Sequence, residues 1–136
     1  MHQIIVEYEG ELRTKAKHLQ SGNELITDAP VDNHGKGEAF SPTDLVATAL
    51  ASCILTIMGI VADRRKIDLK GTSSKVTKVM GEKPRRIAAI HVDIHFKSEI
   101  SNQDRKVLEK AAHSCPVHQS LHGDAVEKKI IFNYPS

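Results

Sequence analysis

Two cysteines, Cys53 and Cys115, are the residues of this sequence best suited to nucleophilic or redox chemistry. They lie far apart in the chain, so they do not form the closely spaced pair of a thioredoxin-like motif. Cys53 lies within 45–62, a run without any charged residue. Burial in such a run disfavours the thiolate, so Cys53 is either an inert core residue or is approached by a polar group from another element. Cys115 precedes Pro116 at a predicted helix start, where backbone N–H groups can stabilise a thiolate.

The uncharged run is predicted to form a long helix. Ser41 suits the N-cap, Pro42 suits the first helical position, and Asp44 completes a capping box. The helix is expected to end near Lys66, after a cationic last turn. Its uncharged part is nearly long enough to cross a membrane, but its Thr, Ser, Gly and Ala content favours a core helix. A chain of this size has little material to cover such a helix, which favours cover by a second subunit.

Alternating apolar and polar residues predict strands on both sides of this helix. The element order βββ-α-ββ-αα-β predicts a single α+β domain over 1–136, with an antiparallel sheet, segregated helices and a long buried central helix. The predicted strands are 3–9, 11–18, a short strand through 25–26, 70–82, 87–99 and 126–134. The later helices are 102–114, capped by Ser101, and a short helical piece in 117–125 that Gly123 stops.

Composition argues against several classes of partner. Nineteen basic residues against seventeen acidic ones give a net charge of +2, and aromatic residues make up only 4% of the chain. This balance does not favour nucleic-acid binding, which needs a basic surface or aromatic stacking platforms. The first residues lack a secretory signal pattern, so we expect a cytoplasmic protein with reduced thiols and no membrane partner.

Histidines around Cys115 leave a metal site open as an alternative. His113, His118 and His122 accompany Cys115 in "HSCPVHQSLH". His118 and His122 would share one helix face, an arrangement that suits zinc or copper. The spacing matches no common zinc module, so no metal is the first expectation.

Three stretches, "GELRTKAKH", "GKGEAFSPTDLVATALASCILTIMGIVA" and "HSCPVHQSL", resemble the OsmC/Ohr family of thiol peroxidases. The resemblance covers most of the chain and includes the order of the elements. It implies an intertwined homodimer, with sites at the subunit interface and no cofactor. By position, it makes Cys53 the peroxidatic thiol, Cys115 the resolving thiol and Arg13 the arginine of the site.

The sequence departs from the family pattern at the glutamate near the helix start. Thr43 stands at that position, which indicates a divergent OsmC-like branch. Asp44 and Glu38 are the candidate carboxylates that could take over the role of orienting Arg13. The resemblance also implies an apolar substrate pocket. Its candidate walls are Phe40, Leu45, Ala49 and Ile57.

The implied activity is reduction of organic hydroperoxides through a Cys53 sulfenic acid and a Cys53–Cys115 disulfide, which an external dithiol then reduces. Two alternatives stay open. The first is a non-catalytic OsmC-like dimer that binds a small ligand and has inert cysteines. The second is the His/Cys metal-binding protein described above.

Overall fold

The structure, a computed structural model, describes residues 3–136 and has the predicted order of strands and helices. The α+β class and the order βββ-α-ββ-αα-β are therefore confirmed. The chain divides into two compact units, the first ending at Val46 and the second spanning Ala47–Ser136. The elements are β1 (Ile4–Gly10), β2 (Arg13–His18), β3 (Glu24–Asp28), α1 (Pro42–Arg64), β4 (Ser73–Gly81), β5 (Arg86–His95), α2 (Asn102–Ala112), α3 (Pro116–Ser120) and β6 (Glu127–Asn133).

The first unit is built on an antiparallel sheet with the order β1-β2-β3. Ile4, Val6 and Tyr8 alternate onto one face of β1, and all three are exposed. Among residues 3–46, the buried side chains are Thr27, Asp28 and Ser41, and none of them is apolar. This sheet therefore has an apolar face that residues 3–136 leave exposed.

Both ends of α1 follow local capping rules. The Ser41 N–H donates to Asp44 Oδ2 at 3.0 Å, and the Asp44 N–H donates to Ser41 Oγ at 3.0 Å, which confirms the predicted capping box. At the other end, Lys66 has a φ of 58°, and the Ile67 N–H donates to the Ala62 carbonyl at 2.8 Å. This hydrogen bond across a left-handed residue is the Schellman motif that commonly ends a helix.

The core of the second unit lies between α1 and the sheet β4-β5-β6. Leu50, Ile54 and Met58 on α1 are fully buried in one cluster with the inner face of β5. That inner face comprises Ile90, Val92 and Ile94, as the alternating pattern predicts. Helix α1 is long and apolar enough to cross a membrane, but its buried face makes it the core helix of this unit.

The prediction of antiparallel pairing is wrong for the last strand. β4 and β5 pair antiparallel, with Val76 opposite Val92, whereas β6 pairs with β5 in parallel, with Ile130 opposite Val92. The two helices between β5 and β6 form a crossover connection. It carries the chain back to the end of the sheet where β5 begins, so β6 runs in the same direction as β5.

The helices of this crossover differ in how well the sequence predicts them. In α2, Ser101 accepts a hydrogen bond from the Asp104 N–H at 3.2 Å, and Leu108 is fully buried, as predicted. Helix α3 covers only Pro116–Ser120 and ends before the predicted stop at Gly123, because the backbone at Leu121 leaves the helical region.

Candidate functional site

Arg13 lies at the start of β2, directly opposite Asp28 on β3. Its Nε donates to Asp28 Oδ1 at 2.7 Å, and its Nη2 donates to Asp28 Oδ2 at 2.8 Å. The Asp28 side chain is only 1% exposed, whereas that of Arg13 is 30% exposed. A guanidinium held at two donors by a buried carboxylate has a fixed orientation, which a single contact could not impose.

Charge pairing perturbs both groups in the expected directions. The hydrogen bonds from Arg13 lower the pKa of Asp28, although burial of the carboxyl opposes this effect. The same hydrogen bonds raise the pKa of Arg13, so the guanidinium stays charged at any ordinary pH. The Glu38 N–H also donates to Asp28 Oδ2 at 3.1 Å and further stabilises the carboxylate.

Asp28 was not among the predicted site residues. A hairpin centred on the predicted turn at 21–23 would place residue 13 opposite residue 31, whereas the observed register centres between residues 20 and 21 and places Arg13 opposite Asp28. The sequence interpretation left pairing on these strands unassigned, so the aspartate at the end of β3 went unnoticed.

The two predicted carboxylate candidates have different positions. Glu38 accepts a hydrogen bond from Arg13 Nη2 at 3.1 Å, while its side chain stays largely exposed. Asp44 forms the capping box of α1 with Ser41. Thr43, at the position of the family glutamate, lies with its hydroxyl 3.2 Å from Ser41 Oγ.

The two thiols belong to the second unit and are neighbours. Cys53 is half-buried on α1, and Cys115 is fully buried at the N-cap of α3. The Cys115 thiol lies within hydrogen-bonding reach of the Cys53 thiol. Two adjacent thiols, one of them partly open to solvent, can interconvert between a dithiol and a disulfide.

Burial dominates the environment of Cys115. It raises the pKa of the Cys115 thiol, and the hydrogen bond with Cys53 raises it further. The His118 N–H donates to Cys115 Sγ at 3.2 Å and lowers the pKa, but this contribution is smaller than that of burial. The predicted helix-start stabilisation is therefore present but outweighed, and Cys115 is a protonated thiol at neutral pH.

The predicted pocket residues fall into two groups. Ala49, Cys53 and Ile57 follow one another at every fourth position, so they form a single stripe along α1. Phe40 and Leu45 belong to the first unit, where Phe40 is 53% exposed and its carbonyl accepts from the Asp28 N–H at 3.1 Å.

Within residues 3–136, no group of three His, Cys, Asp or Glu side chains is arranged to hold a metal ion. The rings of His113 and His118 meet edge to face, with their centroids 5.7 Å apart. His122 lies beyond the end of α3, so the helix face that it was predicted to share with His118 does not form. Burial and the charge of Lys128 lower the pKa of His118, which keeps its imidazole neutral.

Comparisons with known proteins agree with this architecture. The profile of the family described as OsmC-like protein matches residues 35–129. A crystal structure from Psychrobacter arcticus 273-4, provisionally named for osmotic stress induction and a detoxification response, is 53% identical over 98% of this chain and 96% of that one, with a TM-score of 0.94.

Other solved structures share the fold at low identity. An organic hydroperoxide resistance protein from Legionella pneumophila is 19% identical over 98% of this chain and 96% of that one, with a TM-score of 0.77. A second protein of that name, from Elizabethkingia anophelis, is 17% identical over 99% and 96%, with a TM-score of 0.74. A search of curated proteins finds no match. The family profile and the Psychrobacter relative together establish that this chain belongs to the OsmC-like family.

Proposed function

We propose that this protein reduces organic hydroperoxides through Cys53, with Cys115 as the resolving thiol. The observation that carries the proposal is the pairing of a half-buried Cys53 thiol with a fully buried, protonated Cys115 thiol. The more accessible thiol suits attack on a substrate, and the buried one suits capture of the oxidised product. Relatives with this fold are named as organic hydroperoxide resistance proteins, which supports the same substrate class.

The chemistry balances with one external dithiol per turnover. The Cys53 thiolate attacks the outer oxygen of the hydroperoxide, the O–O bond breaks, and the products are a Cys53 sulfenic acid and an alkoxide. The alkoxide takes up one proton, equivalent to the one that Cys53 lost on ionisation, and leaves as an alcohol. The Cys115 thiol then condenses with the sulfenic acid, which forms the Cys53–Cys115 disulfide and releases water. An external dithiol reduces this disulfide to two thiols and becomes a disulfide itself.

Arg13 is the cation that we assign to the attack step. A guanidinium has five N–H donors, and three of them are directed to Asp28 and Glu38, two from Nη2 and one from Nε. Among residues 3–46, the two N–H groups of Nη1 have no acceptor. In our proposal, these donors stabilise the Cys53 thiolate and the alkoxide that leaves it.

The proposal places the site in a homodimer, because two apolar surfaces of the chain lack a cover. One is the face of β1 with Ile4, Val6 and Tyr8. The other is the α1 stripe of Ala49, Cys53 and Ile57. Val46 and Ile60 extend this stripe at its two ends, and both side chains are exposed. Surfaces of this kind mark association sites in soluble proteins. A second copy would cover both surfaces and exclude water around Cys53.

The oligomeric part of the proposal has its own test. Val6→Lys places a charge on the uncovered face of β1, whereas Glu7→Lys places the same side chain on the opposite face of the same strand. Sedimentation velocity should show a dimer for the native protein and for Glu7→Lys, and a larger monomer fraction for Val6→Lys. A native protein that sediments as a monomer at micromolar concentration would contradict the dimer.

We also propose that residues 1–136 act as one OsmC-like domain in the cytoplasm, where dithiol reductants are available. The apolar residues Ala49 and Ile57 beside Cys53 favour an organic hydroperoxide over hydrogen peroxide, because an alkyl or aryl group gains from contact with them.

The test is oxidation by one equivalent of cumene hydroperoxide, followed by alkylation and mass analysis without reductant. The native protein should lose two hydrogens through an intramolecular disulfide. Cys115→Ser should stop at a sulfenic acid that dimedone traps, and Cys53→Ser should remain unmodified. The two variants are matched controls, because each keeps one thiol of the same pair.

Unmodified thiols in the native protein, after exposure that oxidises a small thiol at neutral pH, would refute the peroxidase. That result would favour the ligand-binding dimer with inert cysteines. A disulfide that forms equally fast with hydrogen peroxide and cumene hydroperoxide would refute only the substrate preference.

A further inference from the structure

Helix α3 is too short to hold its own conformation. It consists of Pro116–Ser120, and a single helical turn fixes several residues for few hydrogen bonds. Cys115 is its N-cap residue and is fully buried in the core, so the position of the Cys115 thiol depends both on core packing and on whatever holds α3 in place.

The C-terminal end of α3 is held by one side chain from β6. Lys128 Nζ donates to the His118 carbonyl at 2.9 Å and also to the Leu121 carbonyl. These carbonyls lie at the end of the helix, where no N–H group of the helix itself donates to them. A cation can stabilise such carbonyls. Lys128 lies opposite Ile90 in the register of β6 and β5, so the ammonium is anchored to the central sheet.

The surroundings of Lys128 differ from those of an ordinary surface lysine. Lys128 is half-buried, and within residues 3–136 its ammonium forms no ion pair with a carboxylate. A partly buried ammonium needs polar partners to offset its loss of hydration. Here those partners are the α3 carbonyls. The neighbouring Lys129 points to the opposite face of β6 and is exposed.

We propose that Lys128 is a positioning residue for the thiol pair. By fixing the C-terminal end of α3 to β6, it keeps Cys115 packed against Cys53 and so raises the rate and extent of disulfide formation. Its catalytic significance rests on the proposed peroxidase, but its effect on the two thiols does not require peroxide.

The test therefore uses a glutathione redox buffer instead of a hydroperoxide. Glutathione disulfide and the two protein thiols form the Cys53–Cys115 disulfide and two molecules of glutathione. Acid quenching and mass analysis give the ratio of the intramolecular disulfide to the mixed disulfide with glutathione. This ratio gives the effective concentration of the Cys115 thiol at Cys53. Lys128→Met should lower this effective concentration about tenfold, because small displacements of reacting groups cost much of the proximity effect.

Lys129→Met is the matched control, since it removes the same charge from the adjacent residue and should leave the effective concentration unchanged. Thermal unfolding of each variant separates positioning from loss of fold. If Lys128→Met does not fold, Lys128→Gln keeps an amide NH2 group without the charge and should give a decrease of about threefold.

Equal effective concentrations for the Lys128 and Lys129 variants would overturn the proposal, and so would a native protein that forms only mixed disulfides with glutathione. If the native protein is inert to hydroperoxide but the glutathione experiment gives the expected difference, the peroxidase is refuted and the positioning role stands.

Discussion

Replacement of Arg13 by lysine tests whether the fork of the guanidinium, and not merely its charge, is needed at the site. In the native protein, Nε and Nη2 are held by Asp28 and Glu38, and Nη1 keeps two donors in a fixed direction. A lysine ammonium has three donors on one atom. If it satisfies both carboxylates, one donor at most remains, and its direction is no longer fixed by a planar group.

The magnitude follows from this count of donors. Loss of one preorganised donor to a developing negative charge typically lowers a rate by about 10²–10³. We therefore expect Arg13→Lys to lower the second-order rate constant for oxidation of Cys53 by about 10²-fold, although the net charge is unchanged. The assay is stopped-flow oxidation by cumene hydroperoxide in a Cys115→Ser background, which isolates the attack step from disulfide formation.

Lys15→Arg is the control for this experiment. Lys15 lies two residues further along β2, on the same face as Arg13, and pairs with Glu24 at 3.2 Å. The reverse exchange at this position should leave the rate constant unchanged. An Arg13→Lys variant that reacts as fast as the native protein would refute the reasoning, because charge alone would then be sufficient.

Three further predictions concern stability. Because the pKa of Asp28 is lowered in the folded protein, its carboxylate contributes stability above the unfolded pKa of about 3.9, and this contribution is lost as the pH falls further. Asp28→Asn should therefore flatten the fall in melting temperature between pH 4 and 2.5. Asp124→Asn, at an exposed position, should keep the native profile. Leu50→Ala should lower the free energy of unfolding by about 2–5 kcal/mol in urea titrations, because Leu50 is fully buried, and a loss below about 1 kcal/mol would contradict the assigned core. Lys66→Gly should raise the free energy of unfolding by about 1 kcal/mol, since glycine adopts the observed φ of 58° without strain, and a decrease would contradict the assigned helix end.

The fold could be predicted largely from local patterns. The capping box at Ser41 and the alternation along β5 act within a few residues, so they are visible in the sequence and appear as predicted in the structure. The parallel pairing of β6 with β5 could not be predicted in this way, because it depends on the path of the crossover through α2 and α3. The early end of α3 was likewise not predicted, because the backbone leaves the helical region at Leu121, two residues before the stop signal at Gly123.

The site shows the same division between local and long-range information. Resemblance to the family identified Cys53 and Cys115 as a pair, and the structure brings their thiols together. The contact of Glu38 with Arg13 agrees with one of the two carboxylate candidates. Asp28 was missed because its relation to Arg13 exists only in the register of two strands.

Asp28 also changes the significance of Thr43. From the sequence, Glu38 and Asp44 are the candidates to replace the orienting charge of the glutamate that is absent at this position. In the structure, a buried carboxylate holds Arg13 at two donors, and Glu38 supplies a third contact. The chain therefore lacks the family glutamate at position 43, at the start of α1, and its Arg13 guanidinium is still paired with carboxylates. Because Asp28 and Glu38 already hold Arg13, its orientation does not require a carboxylate at position 43, so the departure at Thr43 is compatible with an active thiol.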